Sequence, residues 1–234
     1  MSDAIVIIPT FNRYDSLLNS IRSVKNQTYK NIEILVVDDN STDRRYENLK
    51  IEDVKIIKLN KGSKQLLGYG CGAVPRNMGM KNAKGDYIAF LDDDDIWMPN
   101  KLEIQINEMK KYNSDMSSTD GYIGKGYYNP NKKYKIYNKE YYFEGLKKIY
   151  KFNKDFPDKF NLDFVKIHNP IITSSICFKK KLYLKIGEMK LIKNGGEIIN
   201  GKREWQDWDY WKRMLQHTNC LYIKKPLFYY DLEN

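Results

Sequence analysis

Short runs of β-branched residues recur along the first half of the chain, separated by segments with helical spacing. Residues 5–8 and 34–37 are apolar without alternation, which is typical of strands buried on both faces of a parallel sheet. Between them, residues 16–27 carry apolar side chains at positions 17, 18, 21 and 24, the spacing of one helix face. This pattern predicts a β-α-β unit.

The same alternation continues along the chain. It predicts strands at 54–59 and 87–91, a helix at 74–83, and another helix that begins near Pro99 and ends at Tyr112. Later segments predict strands at 171–178 and 220–223 and helices at 180–186 and 205–216. Together they indicate an α/β fold with a doubly wound, mostly parallel central sheet flanked by helices.

One stretch in the second half departs from this regularity. Residues 121–166 contain 11 lysines, five acidic residues and eight tyrosines, with turn signals at 129–131 and 156–157. We expect this stretch to be a basic and aromatic excursion from the sheet.

The composition narrows the kinds of site that the chain can form. Three cysteines far apart, Cys71, Cys177 and Cys220, predict buried reduced thiols and neither a disulfide framework nor a zinc cluster. With His168 and His217 as the two histidines, any metal site should be a hard cation held by oxygens. No apolar run approaches the ~20 residues that span a bilayer, so an intracellular location is the default expectation.

The net charge of +10 predicts an anionic partner, which could be nucleic acid, a membrane surface or a phosphorylated small molecule.

Four consecutive carboxylates, at positions 92–95, follow the predicted fourth strand. Clustered like charges are costly unless a cation neutralises them, and a divalent cation such as Mg²⁺ or Mn²⁺ is the simplest remedy. On an extended chain, Asp92 and Asp94 point the same way and can share this ion, while Asp93 turns aside and Asp95 starts the next helix. The alternative is a solvated acidic loop that caps a helix.

A second acidic pair, Asp38 and Asp39, ends the predicted second strand. Because ligands of doubly wound sheets bind beyond the carboxyl ends of the strands, we expect both acidic clusters to meet in one crevice. The alternative for this pair is an Asx-type turn with a helix cap.

Six motifs, in order over about residues 5 to 230, resemble the motif series of family 2 glycosyltransferases. The resemblance implies a GT-A fold, an inverting mechanism and a nucleoside-diphosphate sugar donor. The motifs are Pro9-Thr10-Phe11-Asn12-Arg13, Gln27-Thr28-Tyr29, Val36-Val37-Asp38-Asp39-Asn40-Ser41-Thr42-Asp43, Arg76-Asn77-Met78-Gly79, Phe90-Leu91-Asp92-Asp93-Asp94-Asp95 and Gln206-Asp207-Trp208-Asp209.

The resemblance also implies roles for individual residues on the donor side. It places Asp39 at the base, Arg76 beside the donor phosphates, Asp93 as an aid to donor binding, and Asp92 and Asp94 at the metal. A surface salt bridge is the alternative role for Arg76. The residues placed around the nucleotide are Pro9, Thr10, Phe11 and Arg13.

The catalytic base that the resemblance implies is Asp207. Here Gln206 replaces the glutamate that precedes this aspartate in the family, which removes a neighbouring negative charge. Asp209 is a rival, but two residues along a helix turn about 200°, so the two side chains cannot face one sugar. The alternative is a packed helix with Asp207 as its cap. Residues 168–171 and 173–175 resemble the segment that lines the acceptor pocket.

These observations predict one catalytic domain, residues 1–234, with a nucleotide-binding half at 1–112 and an acceptor-binding half at 113–234. The expected activity is a metal-dependent (Mn²⁺ or Mg²⁺), inverting transfer of a sugar from a nucleoside-diphosphate sugar, with a UDP-sugar as the first candidate. The expected acceptor is a hydroxyl of a glycan, lipid-linked or protein-linked acceptor. For the excursion at 121–166 three roles stay open: contact with an acidic acceptor, contact with a polyprenyl-phosphate carrier at a membrane, or a solvated surface.

Two other classes of protein fit part of this pattern. A metal-dependent nucleotidyltransferase would also use paired aspartates, but it has no need of the acidic motif at Asp207. A basic nucleic-acid-binding protein would not place acidic clusters at its strand ends, so we expect no nucleic-acid partner. The expected location is cytoplasmic, with peripheral membrane contact as an alternative, and the chain could be a catalytic module of a longer polypeptide.

Overall fold

The computed structural model describes residues 2–137, 144–145, 147–148, 157–199 and 201–233. Its helices are α1 (Tyr14–Lys25), α2 (Ser63–Leu67), α3 (Ala73–Asn82), α4 (Lys101–Lys111), and the later helices Leu162–Ile167, Lys180–Ile186 and Gln206–Met214. The strands are β1 (Ala4–Thr10), β2 (Ile32–Asp38), β3 (Val54–Lys58), β4 (Tyr87–Phe90), β5 (Ile96–Trp97), β6 (Met116–Gly124), β7 (Lys135–Tyr137), β8 (Lys159–Phe160), β9 (Cys177–Lys179), β10 (Glu197–Ile199), β11 (Lys202–Glu204) and β12 (Cys220–Asp231).

Ten of the described strands form one sheet, whose main path runs β3-β2-β1-β4-β9-β6-β12-β5. The pairs β1–β2, β1–β4, β2–β3 and β6–β12 are parallel, and β9 is antiparallel to both β4 and β6. This arrangement confirms the predicted α/β fold with a mostly parallel sheet. Because β9 is antiparallel to both of its neighbours, β6 and β12 point the same way as β4. Strands β4, β6 and β12 therefore end at the same edge of the sheet.

Strand β1 shows why the apolar runs lack alternation. Ile5 and Ile7 pack into the cluster that contains Met80 of α3. The side chains that alternate with them along the strand pack against α1 and α4 on the other face of the sheet. Both faces of the strand are therefore covered by helices, and every position is buried. Gly79 of α3 allows the close approach, since a Cβ at this position would overlap the Ile7 side chain.

Two predictions in the second half were wrong. Residues 171–178 do not form one strand: a 3₁₀ turn, Thr173–Ser175, precedes the short strand β9. The hydroxyl of Ser175 donates to the carbonyl of Ile172 at 2.6 Å, and this local bond competes with strand pairing. The predicted excursion cannot begin at residue 121, because β6 runs on to Gly124 inside the sheet. Of the remaining stretch, residues 138–143, 146 and 149–156 lie outside the described residues.

The chain after the acidic run also differs from the prediction. No helix begins at Asp95, whereas the helix predicted to begin near Pro99 is present and starts at Lys101. Strand β5 pairs with β12 first, and α4 begins at Lys101 after Asn100. The Asp95 carboxylate is buried and accepts a hydrogen bond from the main-chain amide of Asp231 at 3.1 Å, so it joins the two segments. Within the described part of the chain, no helix has the length and apolar composition needed to cross a bilayer.

Candidate functional site

An open cleft of about 490 Å³ lies at the sheet edge where β1, β2, β4 and β12 end. Its walls combine the loops after the four parallel strands β1–β4 with residues from the second half of the chain. The lining residues are Pro9, Thr10, Phe11, Arg13, Asp39, Ser63, Lys64, Gly70, Cys71, Gly72, Pro75, Arg76, Asp92, Asp93, Asp94, Asn194, Gln206, Tyr230 and Asp231.

The cleft brings together nearly all of the residues that the sequence pointed to. All of the predicted nucleotide-side and metal-side residues line it. Asp207 is not itself a lining residue, but its neighbour Gln206 is. Both acidic clusters therefore reach one crevice, as expected for strands that end at the same edge.

Two arginines meet the acidic run. Arg76 forms an ion pair with Asp92 through Nη2 and Oδ1. The Arg13 Nη1 lies 3.1 Å from Asp93 Oδ1 and 2.6 Å from Asp94 Oδ2. The neutralising cations in contact with the run are thus guanidinium groups, which carboxylates pair with strongly.

The expectation that Asp93 turns aside from Asp94 was wrong. The two side chains converge on a single nitrogen of Arg13, while Asp92 pairs with a different arginine. The alternation rule holds only for extended chain, and β4 ends at Phe90. The chain then forms a turn in which the Asp95 amide donates to the Asp92 carbonyl at 3.1 Å.

The pKa of Asp94 reflects the burial and the mutual repulsion of the clustered carboxylates. Burial, followed by the charges of Asp92 and Asp93, raises the pKa of Asp94 to about 7. A cation near this carboxylate favours its ionised form, and Arg13 supplies part of that effect. The run is therefore electrostatically prepared for an additional positive charge.

The acidic run offers two carboxylates to a hard metal ion. The side chains of Asp92 and Asp94 are 25% and 11% exposed, respectively, and both face the cleft. Among the described residues, no group of three or more histidine, cysteine, aspartate or glutamate side chains is arranged to hold a metal. Two carboxylates nevertheless suit Mg²⁺ or Mn²⁺, because such ions take their remaining ligands from water and substrate phosphates.

Asp38 and Asp39 separate at the end of β2. The Asp38 carboxylate accepts from the Ser41 amide at 2.8 Å, which is the Asx-type turn that the sequence left open. Asp39 lines the cleft, where it accepts from the Ser63 amide at 2.7 Å and from the Ser63 hydroxyl at 2.5 Å. Burial raises the pKa of Asp39, and the two bonds from Ser63 oppose that shift.

One face of Phe11 is already covered. The ammonium of Lys64 lies 4.9 Å from the centre of the Phe11 ring, in cation–π geometry. Lys64 also brings a positive charge into the cleft near Asp39.

Several residues that line the cleft were not predicted from the sequence. Ser63 and Lys64 follow β3, whose carboxyl end lies at the same edge, so the rule applied to the other strands would have found them. No local pattern marks Asn194, Tyr230 or Asp231. Tyr230 and Asp231 reach the cleft because β12 runs parallel to β6. Asn194 reaches it because its side chain bonds to the loop before α3.

Asp207 lies in the first turn of the helix Gln206–Met214, whose N-cap residue is Trp205, so Asp207 is not the cap. Its Oδ2 accepts a hydrogen bond from the side-chain amide of Asn169 at 2.9 Å. Burial raises the pKa of Asp207, while the charge of Arg76 and the bond from Asn169 lower it. A partly buried carboxylate with a raised pKa is suited to accept a proton.

Asp209 faces away from Asp207, as the helix geometry predicts. It forms ion pairs with Lys190 at 2.6 Å and with Arg213 at 2.9 Å. Asp209 therefore has a structural role in tying the helix to the preceding segment.

The side chain of Asn194 fastens two walls of the cleft together. Its Oδ1 accepts from the Gly72 amide and from the Gln206 side-chain amide, both at 3.0 Å. A glutamine at position 206 can donate this bond, which a glutamate could not. At Gly72 a Cβ would overlap the Arg76 guanidinium, so the absence of a side chain leaves room for Arg76.

The chain is similar in sequence and fold to known proteins. The family model described as "Glycosyl transferase family 2" matches residues 5–187. The chain is similar to the UDP-Glc:alpha-D-GlcNAc-diphosphoundecaprenol beta-1,3-glucosyltransferase WfgD of Escherichia coli, with 44% identity over 110 residues, 46% of this chain and 41% of that enzyme. The chain spans less than half of the length of the curated relatives that it matches.

Two solved structures share the fold at low sequence identity. Staphylococcus aureus TarS residues 1–349, in complex with UDP-GlcNAc, matches with a TM-score of 0.66 and 16% identity over 99% of this chain and 59% of that one. The mannosyltransferase PcManGT of Pyrobaculum calidifontis, in complex with GDP-Man and Mn²⁺, matches with a TM-score of 0.64 and 14% identity, over 99% of this chain and 57% of that one.

Proposed function

The chain belongs to glycosyltransferase family 2, and we propose that it transfers a sugar from a nucleoside-diphosphate sugar to an acceptor hydroxyl, with Asp207 as the base. The observation that carries this proposal is the position of Arg76. Its guanidinium pairs with Asp92 of the acidic run, and its charge also acts on Asp207. One side chain thus connects the acidic run, where a diphosphate would lie, to the carboxylate that would take up a proton.

The nucleoside is proposed to bind at the end of the cleft formed by Phe11, Asp39 and Lys64. Asp39 is partly buried, held by Ser63, and presents a carboxylate that can accept hydrogen bonds from a base. Uracil has an N–H donor for such an acceptor, and the UDP-GlcNAc complex of TarS supports a UDP-sugar as the first candidate. The exposed charge of Lys64 would favour the phosphates.

The proposed metal is Mn²⁺ or Mg²⁺, held by Asp92 and Asp94. When bound, such an ion stabilises the negative charge that develops on the departing diphosphate. The Mn²⁺ in the complex of PcManGT supports the choice of a divalent ion. Arg13 and Arg76 flank the same carboxylates and can contribute to the same stabilisation by binding phosphate oxygens.

Asp207 is proposed to receive the proton of the attacking hydroxyl. Its ionised form is needed for this step, and the bond from Asn169 stabilises that form and fixes the direction in which the carboxylate points. An inverting transfer is a single displacement, so one base and one stabilised leaving group are enough.

The acceptor is proposed to be a glycan, either free or linked to a carrier. The E. coli relative acts on a diphosphoundecaprenol-linked sugar, as its name states, and that name supports a carrier-linked acceptor here. The proposed division into a nucleotide-binding half, 1–112, and an acceptor-binding half, 113–234, is compatible with a cleft whose walls come from both halves. Contact with a membrane surface would follow from a lipid-linked acceptor.

The proposal is tested by thermal stabilisation with UDP, GDP and dTDP, each with and without Mn²⁺, followed by a hydrolysis screen over nucleotide sugars. We expect a metal-dependent rise in Tm with at least one nucleotide, largest with UDP, and slow hydrolysis of the matching sugar donor. A chain that none of these nucleotides stabilises in the presence of Mn²⁺ is not a transferase of this kind.

A further inference from the structure

A second cavity, of about 700 Å³, adjoins the proposed donor cleft. We call it the α1 groove, because α1 forms one wall. The segments around Ile96–Trp97 and around Tyr127 form the other walls. Among the described residues that line the two cavities, the shared one is Asp94. The α1 groove is therefore a separate space that opens beside the diphosphate end of the donor cleft.

Two kinds of surface face each other across the α1 groove. Tyr127, Met98 and Pro99 contribute apolar and aromatic surface, and the Tyr127 side chain is 64% exposed. The opposing wall is polar, with Asn19 and Arg22 on α1 and Asn26 at its C-terminal end. A large apolar cavity with a few convergent polar groups is the usual composition of a small-molecule site.

The polar wall follows from the amphipathic pattern of α1. Leu17, Ile21 and Val24 are buried against the sheet. Asn19, Arg22 and Asn26 are spaced by three and four residues, so they share the opposite face. Arg22 donates to the Asn19 Oδ1 at 2.9 Å, and within the described part of the chain no hydrogen bond occupies the Asn26 side-chain amide.

The aromatic wall is held in a fixed position. The Gly126 amide donates to Asp231 Oδ1 at 2.9 Å, and the Gly126 carbonyl accepts from the Tyr229 hydroxyl at 2.7 Å. The Tyr128 ring packs against Tyr229 with 5.3 Å between centroids. Because Asp231 also lines the donor cleft, the same strand end positions a wall of each cavity.

We propose that the α1 groove binds a neutral saccharide unit, as a subsite for the glycan that the enzyme extends. A sugar ring has an apolar C–H face, which an aromatic ring can cover, and hydroxyls, which side-chain amides can bind. The lining of the groove has one positively charged residue, Arg22, and one negatively charged residue, Asp94. This balance of charge disfavours a strongly charged ligand. A polyprenyl chain would leave the polar wall of α1 without partners. The choice of a glycan rests on the proposed glycosyl transfer.

The test is a titration of the protein with methyl glucoside, methyl galactoside and methyl N-acetylglucosaminide. Ligand-observed NMR measures binding, in the presence of saturating UDP and Mn²⁺. UDP keeps the donor cleft filled, so the remaining signal reports on other sites. We expect at least one glycoside to bind, and Tyr127→Ala and Asn26→Ala each to weaken its binding by roughly 2- to 10-fold, the loss of one aromatic or amide contact.

Tyr112→Ala is the matched control, because Tyr112 is a 48% exposed tyrosine at the end of α4 and is not part of the α1 groove. It should leave glycoside binding unchanged. Equal losses in the Tyr112 and Tyr127 variants, or no binding of any glycoside, would overturn the proposal. So would binding of farnesyl phosphate that is lost in the Tyr127 variant while glycosides do not bind.

The two proposals fail in different ways. Glycoside binding that depends on Tyr127 in a protein that no nucleotide stabilises would uphold the α1 groove and reject the donor assignment. Metal-dependent UDP binding together with glycoside binding that is indifferent to Tyr127 and Asn26 would do the reverse.

Discussion

The side-chain amide of Asn169 donates a hydrogen bond to Asp207, with 2.9 Å between Nδ2 and Oδ2. The two residues are far apart in the sequence, and the bond links the segment before the 3₁₀ turn Thr173–Ser175 to the helix that carries the proposed base. A base that is fixed by a neighbouring amide is oriented before the substrate arrives. This contact therefore has a measurable consequence for the pH dependence of the reaction.

Asn169→Ala should move the acid limb of the kcat profile to higher pH. Burial raises the pKa of Asp207, and the hydrogen bond from Asn169 opposes that rise. Without the bond the pKa rises further, so the carboxylate is protonated, and inactive as a base, at a higher pH than in the parent protein. The measurement is kcat against pH at saturating donor.

Asn161→Ala is the control for this pH shift, since Asn161 caps the helix Leu162–Ile167 by accepting from the Phe164 amide. It should lower Tm and leave the acid limb in place. An acid limb that does not move in Asn169→Ala would mean that Asp207 is not the group that titrates.

Asp207→Asn should lower kcat by about 10²- to 10⁴-fold, the usual contribution of a general base. UDP affinity should stay at the parental value, because Asp207 does not line the donor cleft. Transfer assays and calorimetric titration with UDP measure the two quantities. Loss of UDP affinity with normal kcat would reassign Asp207 to donor binding.

Asp209→Asn is the matched comparison for that variant. Asp209 pairs with Lys190 and Arg213, so its loss should reduce Tm. Catalysis should continue at the parental kcat, because the side chain faces away from the proposed base. A fall in kcat comparable to that of Asp207→Asn would make Asp209 the stronger candidate.

Asp94→Asn should remove most of the gain in UDP affinity that Mn²⁺ provides. The substitution takes away one of the two carboxylates proposed to hold the metal, while Arg13 keeps its contact with Asp93. UDP affinity is measured with and without Mn²⁺. Asp115→Asn, which disturbs ion pairs with Lys179 and Lys181 outside the cleft, should keep the full gain. An undiminished gain in Asp94→Asn would exclude Asp94 as a ligand.

Gly72→Ala should weaken donor binding by roughly 10- to 100-fold, the loss of a hydrogen bond to a charged group. The added Cβ would overlap the Arg76 guanidinium and lie 3.3 Å from the Gln206 Nε2, so Arg76 has to move. The readout is UDP affinity, with Tm as the check on folding. At Gly145, which does not line the cleft, a Cβ meets none of the described residues within 4 Å, so Gly145→Ala should bind UDP normally. Parental affinity in Gly72→Ala would show that the position of Arg76 is not needed for donor binding.

The sequence by itself determined the central architecture. Apolar runs without alternation and the helical spacing between them are local patterns, and residues 5–91 follow them closely in the structure. The carboxyl-end rule then brought Asp39, Arg13 and the run at 92–95 to one edge, because parallel neighbours end together. Periodicity is a short-range property. A helix between two strands returns the chain to the same edge of the sheet, so the order of the elements in residues 5–91 was enough to predict parallel strands.

Only the tertiary structure decided which groups touch. Arg13 joins Asp93 to Asp94, although the alternation of an extended strand separates them, because the chain turns after Phe90. Asn169 reaches Asp207 from a segment with no periodicity of its own. The end of β12 enters the cleft because β9 reverses the direction of the sheet. Such contacts depend on how distant segments pack, and no local pattern in the chain encodes them.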